Sequence, residues 1–462
     1  MYGVRVGETD QRERVLQLIQ RFGWNATAFQ TLETGYDYFF DTDDACVAYV
    51  DTGSAWVAAG APLAAAESLP EAAEAFRRAA HAAGRRCCFF ATEERFRDAS
   101  ATGWSAFVIG QQPSWDPRDW AGSLSRHPSL RQQLRRAQNK GVSVRALAPS
   151  ERETEPVRRA LRLVGERWLA TRDMAAMSFL VRLEPFHQAE QRQCFVAERE
   201  GRLLGFAGVV PVPARGGWFL EDLVRDPSAP NGTSELLVDA VMTWAAAHGC
   251  EWLTLGLAPL AGDVGGVLKW VRKLSSPLYD FDGLRVYKAK LRPASWTNIY
   301  LSYPDSQGAI RSLLDALRAF APQGLLRFGL QSLLRGPMVV VATLAALLAP
   351  WTVLLALAPA EHWFGNAYVK WGWVAFDLAL LLGFSRWLQR PRLALLSVLA
   401  LAVTADACLT LLQALLWNVR QARGLLEIAL VVIACAMPAL AAGILWGAQR
   451  RSRQTARAAP RL

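Results

Sequence analysis

Four apolar segments near the C-terminal end constrain the fold of this chain more than any other feature. They cover about 338–358, 368–388, 393–417 and 424–448. Each has roughly the twenty residues that an α-helix needs to cross the hydrocarbon core of a bilayer. The sequence therefore predicts four transmembrane helices within 337–450, followed by a basic cytoplasmic tail over 451–462.

The formal charge of +10 is concentrated in the same part of the 462-residue chain. From Met338 onward, 11 Lys and Arg face 4 Asp and Glu, whereas the front is nearly neutral. Basic residues beside apolar spans are attracted to anionic headgroups, so the charge favours a membrane surface over a general nucleic-acid coat. Arginine is frequent in 386–392 and 449–457 and absent from 358–367. The positive-inside rule therefore predicts a multi-pass inner (cytoplasmic) membrane protein whose front domain is cytoplasmic.

Three carboxylates lie inside these spans or near their edges: Asp377, Asp406 and Glu427. A carboxylate is costly in the hydrocarbon region and usually faces a polar partner or a cavity. Two interpretations stay open, namely a lipid or proton pathway and hydrogen bonding between helices.

The seven cysteines show no CxxC pair and no spacing with histidine that indicates a zinc site. We interpret them as reduced core residues in a cytosolic compartment, and we expect no metal and no other cofactor. The first 17 residues lack the apolar stretch of a signal peptide or an anchor.

The front of the chain repeats one order of elements: helix, strand meander, helix, strand. This order resembles that of acyltransferases of the GCN5-related type. The predicted fold class is α/β, with two tandem acyltransferase-like units over 1–125 and 126–305, the second of them catalytic and carrying a basic arm. An amphipathic helix in the membrane interface is predicted over 306–336, where apolar residues alternate with arginines.

One corner of the second acyltransferase-like unit, 126–305, carries charged residues in a position suited to binding or catalysis. Glu221 and Asp222 end an apolar strand, Arg225 follows, and Asn231-Gly232 leads into a helix. The free N–H groups of a helix start favour an anion or a developing oxyanion, and an arginine can clamp phosphate. Without further information, a capped helix after a loop salt bridge explains the pattern equally well.

A coenzyme-A acetyltransferase of this fold normally has a glycine-rich turn at this position, whose backbone N–H groups hold the pyrophosphate. The segment RDPSAPNGTSELL contains one glycine, Gly232. The sequence therefore gives a weak signal for acyl-CoA.

Two longer stretches resemble the phosphatidylglycerol lysyltransferase family, also called multiple peptide resistance factors. DLVRDPSAPNGTSELLVDAVMTWAAAHGCEWLTLGLAPLAG (222–262) is similar to the family's D-L-M-R, P-N-G and L-G-M-A-P-L-S segments. YDFDGLRVYKAKLRPASWTNIYLSYP (279–304) is similar to its C-terminal segment with a K-x-K pair. The likeness extends over roughly 10–305.

The resemblance implies an enzyme that moves an amino acid, lysine or another, from aminoacyl-tRNA to a lipid hydroxyl, usually that of phosphatidylglycerol. It also implies roles for residues: Asp222 for the amino group, Arg225 for a phosphate or carbonyl oxygen, and a lysine of Lys288 and Lys290 for phosphate. These four are the predicted catalytic residues. The predicted substrate-binding residues are Glu221, Asn231, Gly232, Glu235 and Gly256.

Two basic stretches, 126–145 and 267–292, are predicted to contact tRNA phosphates or anionic headgroups. A solvated helix face is the simpler interpretation of such a charge run. The residues predicted for this contact are Arg131, Arg135, Arg136, Lys140, Lys269, Arg272 and Lys273.

The chain departs from the family pattern by mild substitutions at Val224, Glu235, Leu257 and Ala261, and more clearly in the order of its regions. Familiar members place many transmembrane helices before the catalytic domain, whereas here four spans follow it, which puts lipid flipping and the acceptor in doubt. Two rival classes remain: an acyl-CoA-dependent acyltransferase acting on a membrane lipid, and a non-enzymatic membrane scaffold. The expected partners are aminoacyl-tRNA, phosphatidylglycerol and the bilayer, with a homodimer as a further alternative.

Overall fold

A computed structural model of the protein describes residues 6–100, 102–171, 179–260, 281–321, 323–324, 327–328 and 337–458. The chain divides into two compact units. The first takes in Met1–Thr171 and Ala176–Phe328, and the second contains Gly329–Leu462.

The described strands of the first unit form one twelve-stranded sheet. Its order is β1-β2-β3-β4-β12-β5-β10-β9-β8-β7-β6, with β11 paired to β5. The strands are β1 Asp37–Thr42, β2 Ala45–Asp51, β3 Ala55–Ala59, β4 Arg86–Thr92, β5 Trp104–Trp115, β6 Ser143–Ala146, β7 Gln193–Arg199, β8 Arg202–Val212, β9 Gly217–Arg225, β10 Trp252–Thr254, β11 Ala258–Pro259 and β12 Ser295–Pro304.

Helices pack against both faces of this sheet. On β7–β9, α8 covers one face through a core that includes Val238 and Val241. On the opposite face, α7 packs through Leu161 and Val164. The helices are α1 Val6–Phe22, α2 Leu69–Ala82, α3 Glu94–Ala99, α4 Trp120–Arg126, α5 Pro128–Gln138, α6 Pro149–Arg152, α7 Glu155–Ala170, α8 Thr233–Ala247, α9 Phe281–Lys290 and α10 Ala309–Phe320.

The predicted α/β class is confirmed, and the strand meanders of the two predicted repeats contain the hairpins β2–β3 and β7–β8. Strand β12 occupies a position that the repeat pattern does not indicate. It is the last of the described strands in sequence order and lies between β4 and β5, antiparallel to both. The predicted bounds 1–125 and 126–305 therefore divide the sequence, whereas the strands of both predicted units form one continuous sheet.

The start of α8 is fixed by a close contact with α5. Gly232 precedes α8 with φ +96°, and a Cβ atom at this position would lie 2.2 Å from the backbone oxygen of Gln133. Only glycine tolerates both this backbone conformation and this approach. The basic helix α5 is thereby held against the loop that carries Asn231.

Helix α10, within the predicted interfacial segment 306–336, packs on the first unit with its small residues. Ala316 and Ala319 lie in the core beside β3, β4 and β12, and Asp315 accepts two hydrogen bonds from Arg86, both at 2.7 Å. The opposite face exposes Ile310 and Leu314. Contact of this face with a membrane stays a prediction.

The second unit is helical, and four of its helices are long and apolar enough to cross a membrane. This confirms the predicted four-helix region, while its orientation stays a prediction. Leu380, Phe384 and Leu399 belong to the core shared by these helices. The helices are α11 Pro337–Leu357, α12 Ala360–Phe364, α13 Ala367–Gln389, α14 Leu393–Gln413, α15 Val419–Gln421 and α16 Leu425–Ala458, with a π-helical turn over Ala414–Asn418.

Candidate functional site

A β-bulge in β9 brings two adjacent carboxylates to one place. Gly208 of β8 pairs with Asp222 and Val209 pairs with Leu220, so Glu221 is an extra residue without a partner in the ladder. In a regular strand, neighbouring side chains point to opposite faces of the sheet. The bulge breaks this alternation, and both acidic side chains approach the same arginine.

That arginine is Arg192, which directly precedes β7 and is 2% exposed as a side chain. Its Nη1 lies 2.5 Å from Oε2 of Glu221 and 3.0 Å from Oδ2 of Asp222. Gly208 makes room for this contact, because a Cβ atom there would lie 3.0 Å from Oδ2 of Asp222 and 3.1 Å from Nη1 of Arg192. The absence of a side chain at 208 therefore leaves room for the buried ion pair between Arg192 and Asp222.

A third carboxylate, Glu33, reaches the cluster from the other half of the sheet. It follows the short helix Ala26–Leu32 and is 2% exposed. None of the residues that the structure describes forms a hydrogen bond with either of its carboxylate oxygens. Glu33 interacts electrostatically with Glu221, Arg192 and Asp222. Glu33, Arg192, Glu221 and Asp222 together are called the acidic cluster below, which contains three carboxyl groups and one guanidinium.

Burial and mutual repulsion shift the titration of this cluster. Desolvation, and then the charge of Glu221, raise the pKa of Asp222 to about 7, with Arg192 opposing the shift. Desolvation raises the pKa of Glu33 to about 9, and Glu221 and Glu184 add to the shift. A buried carboxylate with few donors favours its neutral form unless a cation arrives.

A cavity of about 500 Å³ lies between α7 and the loop 183–187. None of the four acidic-cluster residues lines it, but Glu184, which does, interacts electrostatically with Glu33. The lining of the cavity includes Leu161, Gly165, Glu184 and His187. His187 connects it to the cluster, because its Nε2 lies 2.8 Å from the backbone oxygen of Leu32, the residue before Glu33. The cavity has the size of a small-molecule site.

Arg225 lies on the opposite face of β9 from Asp222. Val224 belongs to the core under α7, whereas Leu223 packs towards α8. Because side chains alternate between the two faces along a strand, Arg225 is on the same face as Leu223. Nη1 of Arg225 donates to Oδ1 of Asn231 at 3.3 Å. The sequence placed Asp222 and Arg225 at one corner, but the structure separates them onto two faces of the sheet, and their individual roles stay predictions.

Glu235, in the first turn of α8, lies on the Arg225 side. Both residues interact electrostatically with Tyr287 of α9, whose pKa is raised by burial. Arg225, Asn231, Glu235 and Tyr287 therefore form a second polar group, distinct from the acidic cluster. Gly232 has the structural role described above.

The two lysines of the K-x-K pair differ in their surroundings. Nζ of Lys288 is buried and donates to the backbone oxygens of Leu255, Gly256 and Leu257 at 2.8, 2.9 and 2.9 Å. Burial lowers the pKa of Lys288 to about 7. Lys290 is exposed. Lys288 therefore holds the segment after β10 in place, and Gly256 belongs to that segment.

The predicted basic contacts divide in a similar way. Arg131 is tied to the end of α4, where its Nη1 donates to the backbone oxygens of Leu124, at 2.5 Å, and Ser125. Arg135, Arg136 and Lys140 are exposed. Lys269, Arg272 and Lys273 lie outside the described residues.

The sequence did not indicate Glu33, Arg192 or Tyr287 as site residues. Glu33 lies in TLETGY, about 190 positions from Asp222, with no motif around it. Arg192 stands directly before an apolar strand, and this isolated charge is the one signal that pointed to a buried partner. Tyr287 lies within the K-x-K segment, but the motif in that segment indicated the lysines as site residues.

We expect Glu33→Gln to change how stability depends on pH. Between pH 4.5 and about 9, the folded protein binds a proton at Glu33 that the unfolded chain lacks. This stabilisation is full below pH 4.5 and is lost as the pH rises through about 9. From pH 5 to pH 9, the free energy of unfolding should therefore fall by on the order of 5 kcal/mol more in the wild type than in Glu33→Gln.

Thermal or denaturant unfolding of the full chain in detergent measures this difference. Glu71→Gln, which alters an exposed carboxylate on α2, serves as the control and should follow the wild type at every pH. A Glu33→Gln curve parallel to the wild type would contradict the assignment of a protonated Glu33.

Lys288→Met and Lys290→Met form a matched pair. The first leaves three backbone oxygens without their shared donor and should lower the free energy of unfolding by about 2 kcal/mol or more. The second alters an exposed side chain and should change it by less than about 0.5 kcal/mol. Equal losses in chemical unfolding of the two full-length variants would contradict the positioning role of Lys288.

Comparison with known proteins identifies the family. The family described as "Phosphatidylglycerol lysyltransferase, C-terminal" matches residues 16–303. The phosphatidylglycerol lysyltransferase of Bacillus subtilis (strain 168) is 24% identical over 309 residues, which are 64% of this chain and 36% of the relative. The lysylphosphatidylglycerol biosynthesis bifunctional protein LysX of Nocardia farcinica is 27% identical over 242 residues, 49% of this chain and 21% of the relative. The chain thus spans about a third or less of the length of these relatives.

Two solved structures have the same fold. The C-terminal domain of a putative lysylphosphatidylglycerol synthetase from Agrobacterium fabrum superposes with a TM-score of 0.59 at 23% identity, covering 68% of this chain and 96% of that one. L-PGS from Bacillus licheniformis gives 0.58 at 21%, covering 67% and 96%. Since the family match takes in more than half of the chain, this protein belongs to the family of the phosphatidylglycerol lysyltransferase C-terminal domain.

Proposed function

We propose that this protein is a membrane-bound aminoacyltransferase that esterifies an amino acid to the hydroxyl of phosphatidylglycerol, with aminoacyl-tRNA as the donor. The observation that carries the proposal is the acidic cluster, a buried excess of carboxyl groups, one of which interacts with a residue that lines a cavity, in a chain of this family. Lysine is the first amino acid to test, because the relatives are named for it.

The charge of the acidic cluster supports binding of an ammonium group. Arg192 neutralises at most one of the three carboxyl groups, and Glu33 has no hydrogen-bond partner among the described residues. An ammonium donates three hydrogen bonds and adds a positive charge, so it offsets the desolvation of Glu33 and Asp222. We assign the amino group of the aminoacyl ester to this position, with Asp222 as its principal partner.

Group transfer itself makes modest demands on the protein. The lipid hydroxyl attacks the ester carbonyl, the bond to the ribose oxygen breaks, and one ester replaces another. The enzyme gains most by bringing the two substrates together and by stabilising the tetrahedral oxyanion. Asp222 fixes the acyl group from one side, and Arg225, on the other face of the sheet, is assigned to a phosphate of the donor or of the headgroup.

Exposed cations on α5 support a polyanionic donor. Arg135 and Arg136 point to solvent, and the contact at Gly232 keeps α5 next to Asn231 and hence to Arg225. Adjacent arginines on a fixed helix suit phosphates of a nucleic acid. The arginine-rich connectors of the second unit support a cytoplasmic position of this domain at the inner membrane, where aminoacyl-tRNA is available.

Asp222→Asn should abolish the lipid product. The substitution keeps the size of the side chain and removes the charge that would hold the ammonium, so we expect at least a hundredfold loss of aminoacylated lipid, or ~3 kcal/mol. Mass spectrometry of lipids from cells that express the full chain measures the loss and also identifies the amino acid and the acceptor.

Asp239→Asn is the matched control. Asp239 lies on α8 and accepts a hydrogen bond from Nε1 of Trp120 at 2.8 Å, away from the acidic cluster. This variant should keep the product. An N-acylated lipid in place of an aminoacyl ester would favour the acyl-CoA-dependent class, and no new lipid with the wild type would sink both enzymatic proposals.

The double variant Arg135→Glu/Arg136→Glu should weaken tRNA binding at least tenfold and reduce its dependence on salt, because two phosphate contacts are replaced by repulsion. Binding of labelled aminoacyl-tRNA to the full chain at several salt concentrations measures this. Arg77→Glu/Arg78→Glu, an adjacent pair on α2, is the control for net charge. Equal weakening by both pairs would count against a tRNA site on α5.

A further inference from the structure

The second unit contains a pair of carboxylates halfway along its helices. Asp377 is the eleventh residue of the 23-residue α13, and Asp406 is the fourteenth of the 21-residue α14. Both continue rows of buried apolar residues: Val374 and Leu380 flank Asp377, and Val403 precedes Asp406 by one helical turn. The two acidic side chains therefore point into the core of the helical unit.

The burial of this pair exceeds what interhelical hydrogen bonding alone would require. Asp377 is 4% exposed and Asp406 is 9% exposed. Oδ1 of Asp406 accepts from the Thr410 hydroxyl at 3.3 Å. Oδ2 of Asp377 is buried and has no hydrogen-bond partner among the described residues. An aspartate that served only to join helices would use such an oxygen.

No cation compensates the pair within the described part of the chain. Asp377 faces Thr352 of α11 and the charge of Asp406, and α11 itself contains no charged residue. Two other charged groups of this unit are engaged elsewhere: Lys370 donates to the backbone oxygen of Ala358, and Glu427 lies 3.4 Å from His362. Cys435 of α16 approaches only the backbone oxygen of Thr410.

We propose that Asp377 and Asp406 form a proton-binding site in the core of the four-helix unit. Two carboxylates in a water-poor interior cannot both stay ionised without a compensating cation. A proton taken from the aqueous phase forms one O–H bond on either carboxyl group and converts two anions into one. The pair thus gives the helical unit two charge states, which differ by one proton.

Infrared difference spectroscopy of the full chain in nanodiscs tests this site. Because Glu33 and Asp222 of the first unit also titrate in this range, every chain in this experiment carries Glu33→Gln and Asp222→Asn, and this doubly substituted chain is the parent. Its spectra between pH 5 and pH 9 should still contain the C=O stretch of a protonated carboxyl whose intensity changes with pH. Asp377→Asn/Asp406→Asn should lose this band. Each single variant should keep one carboxyl and therefore retain a band that the double variant lacks.

Glu427→Gln is the matched control, because it neutralises the third acidic residue of the spans and should keep the band. The titration of the parent chain tests the proposal even where a further variant fails to fold, which circular dichroism would reveal. A band that does not change with pH, or one that persists in the double variant, would overturn the proposal. Suppression of the band by Na⁺ would overturn it in favour of a metal-ion site.

Discussion

The pairing of β12 with β4 and β5 is the contact on which the site of the first unit depends. This strand comes from the end of the first unit and joins the early strands to the later ones in a continuous sheet. Glu33, from the beginning of the chain, lies near the later strands because the helix Ala26–Leu32 before it shares a core with Val210, Val212 and Phe219 of β8 and β9. The acidic cluster therefore belongs to the whole sheet, and neither half of the repeat could form it alone.

Much of the fold could be predicted from the sequence, because it is encoded locally. Hairpins β2–β3 and β7–β8 show alternation and turn residues, and the four spans show uninterrupted apolar length. The position of β12 could not be predicted, since strand order depends on contacts between residues far apart in the chain. The helix over 309–320 could be predicted from its periodicity, but the face with which it packs on the sheet could not.

For the candidate site, the sequence indicated the residues with motifs but not their geometry. Glu221 and Asp222 were visible as a pair, yet a bulge decides that both face Arg192. Regular alternation along β9 from Asp222 onward places Arg225 on the other face of the sheet. Lys288 and Lys290 look equivalent in the sequence, but Lys288 is buried and Lys290 is exposed. For the acidic pair, the missing information is a local departure from a regular strand, and for the lysines it is the packing of α9.

The late position of β12 also has a consequence for biosynthesis. Ser114 of β5 meets Ser295 of β12 at a separation of 181 residues. During translation, the facing edges of β4 and β5 stay unpaired until this distant segment has left the ribosome, and unpaired edges invite association with other chains. The emergence of the first apolar span follows soon afterwards. Closure of the sheet and delivery to the membrane thus fall within the same short interval of synthesis.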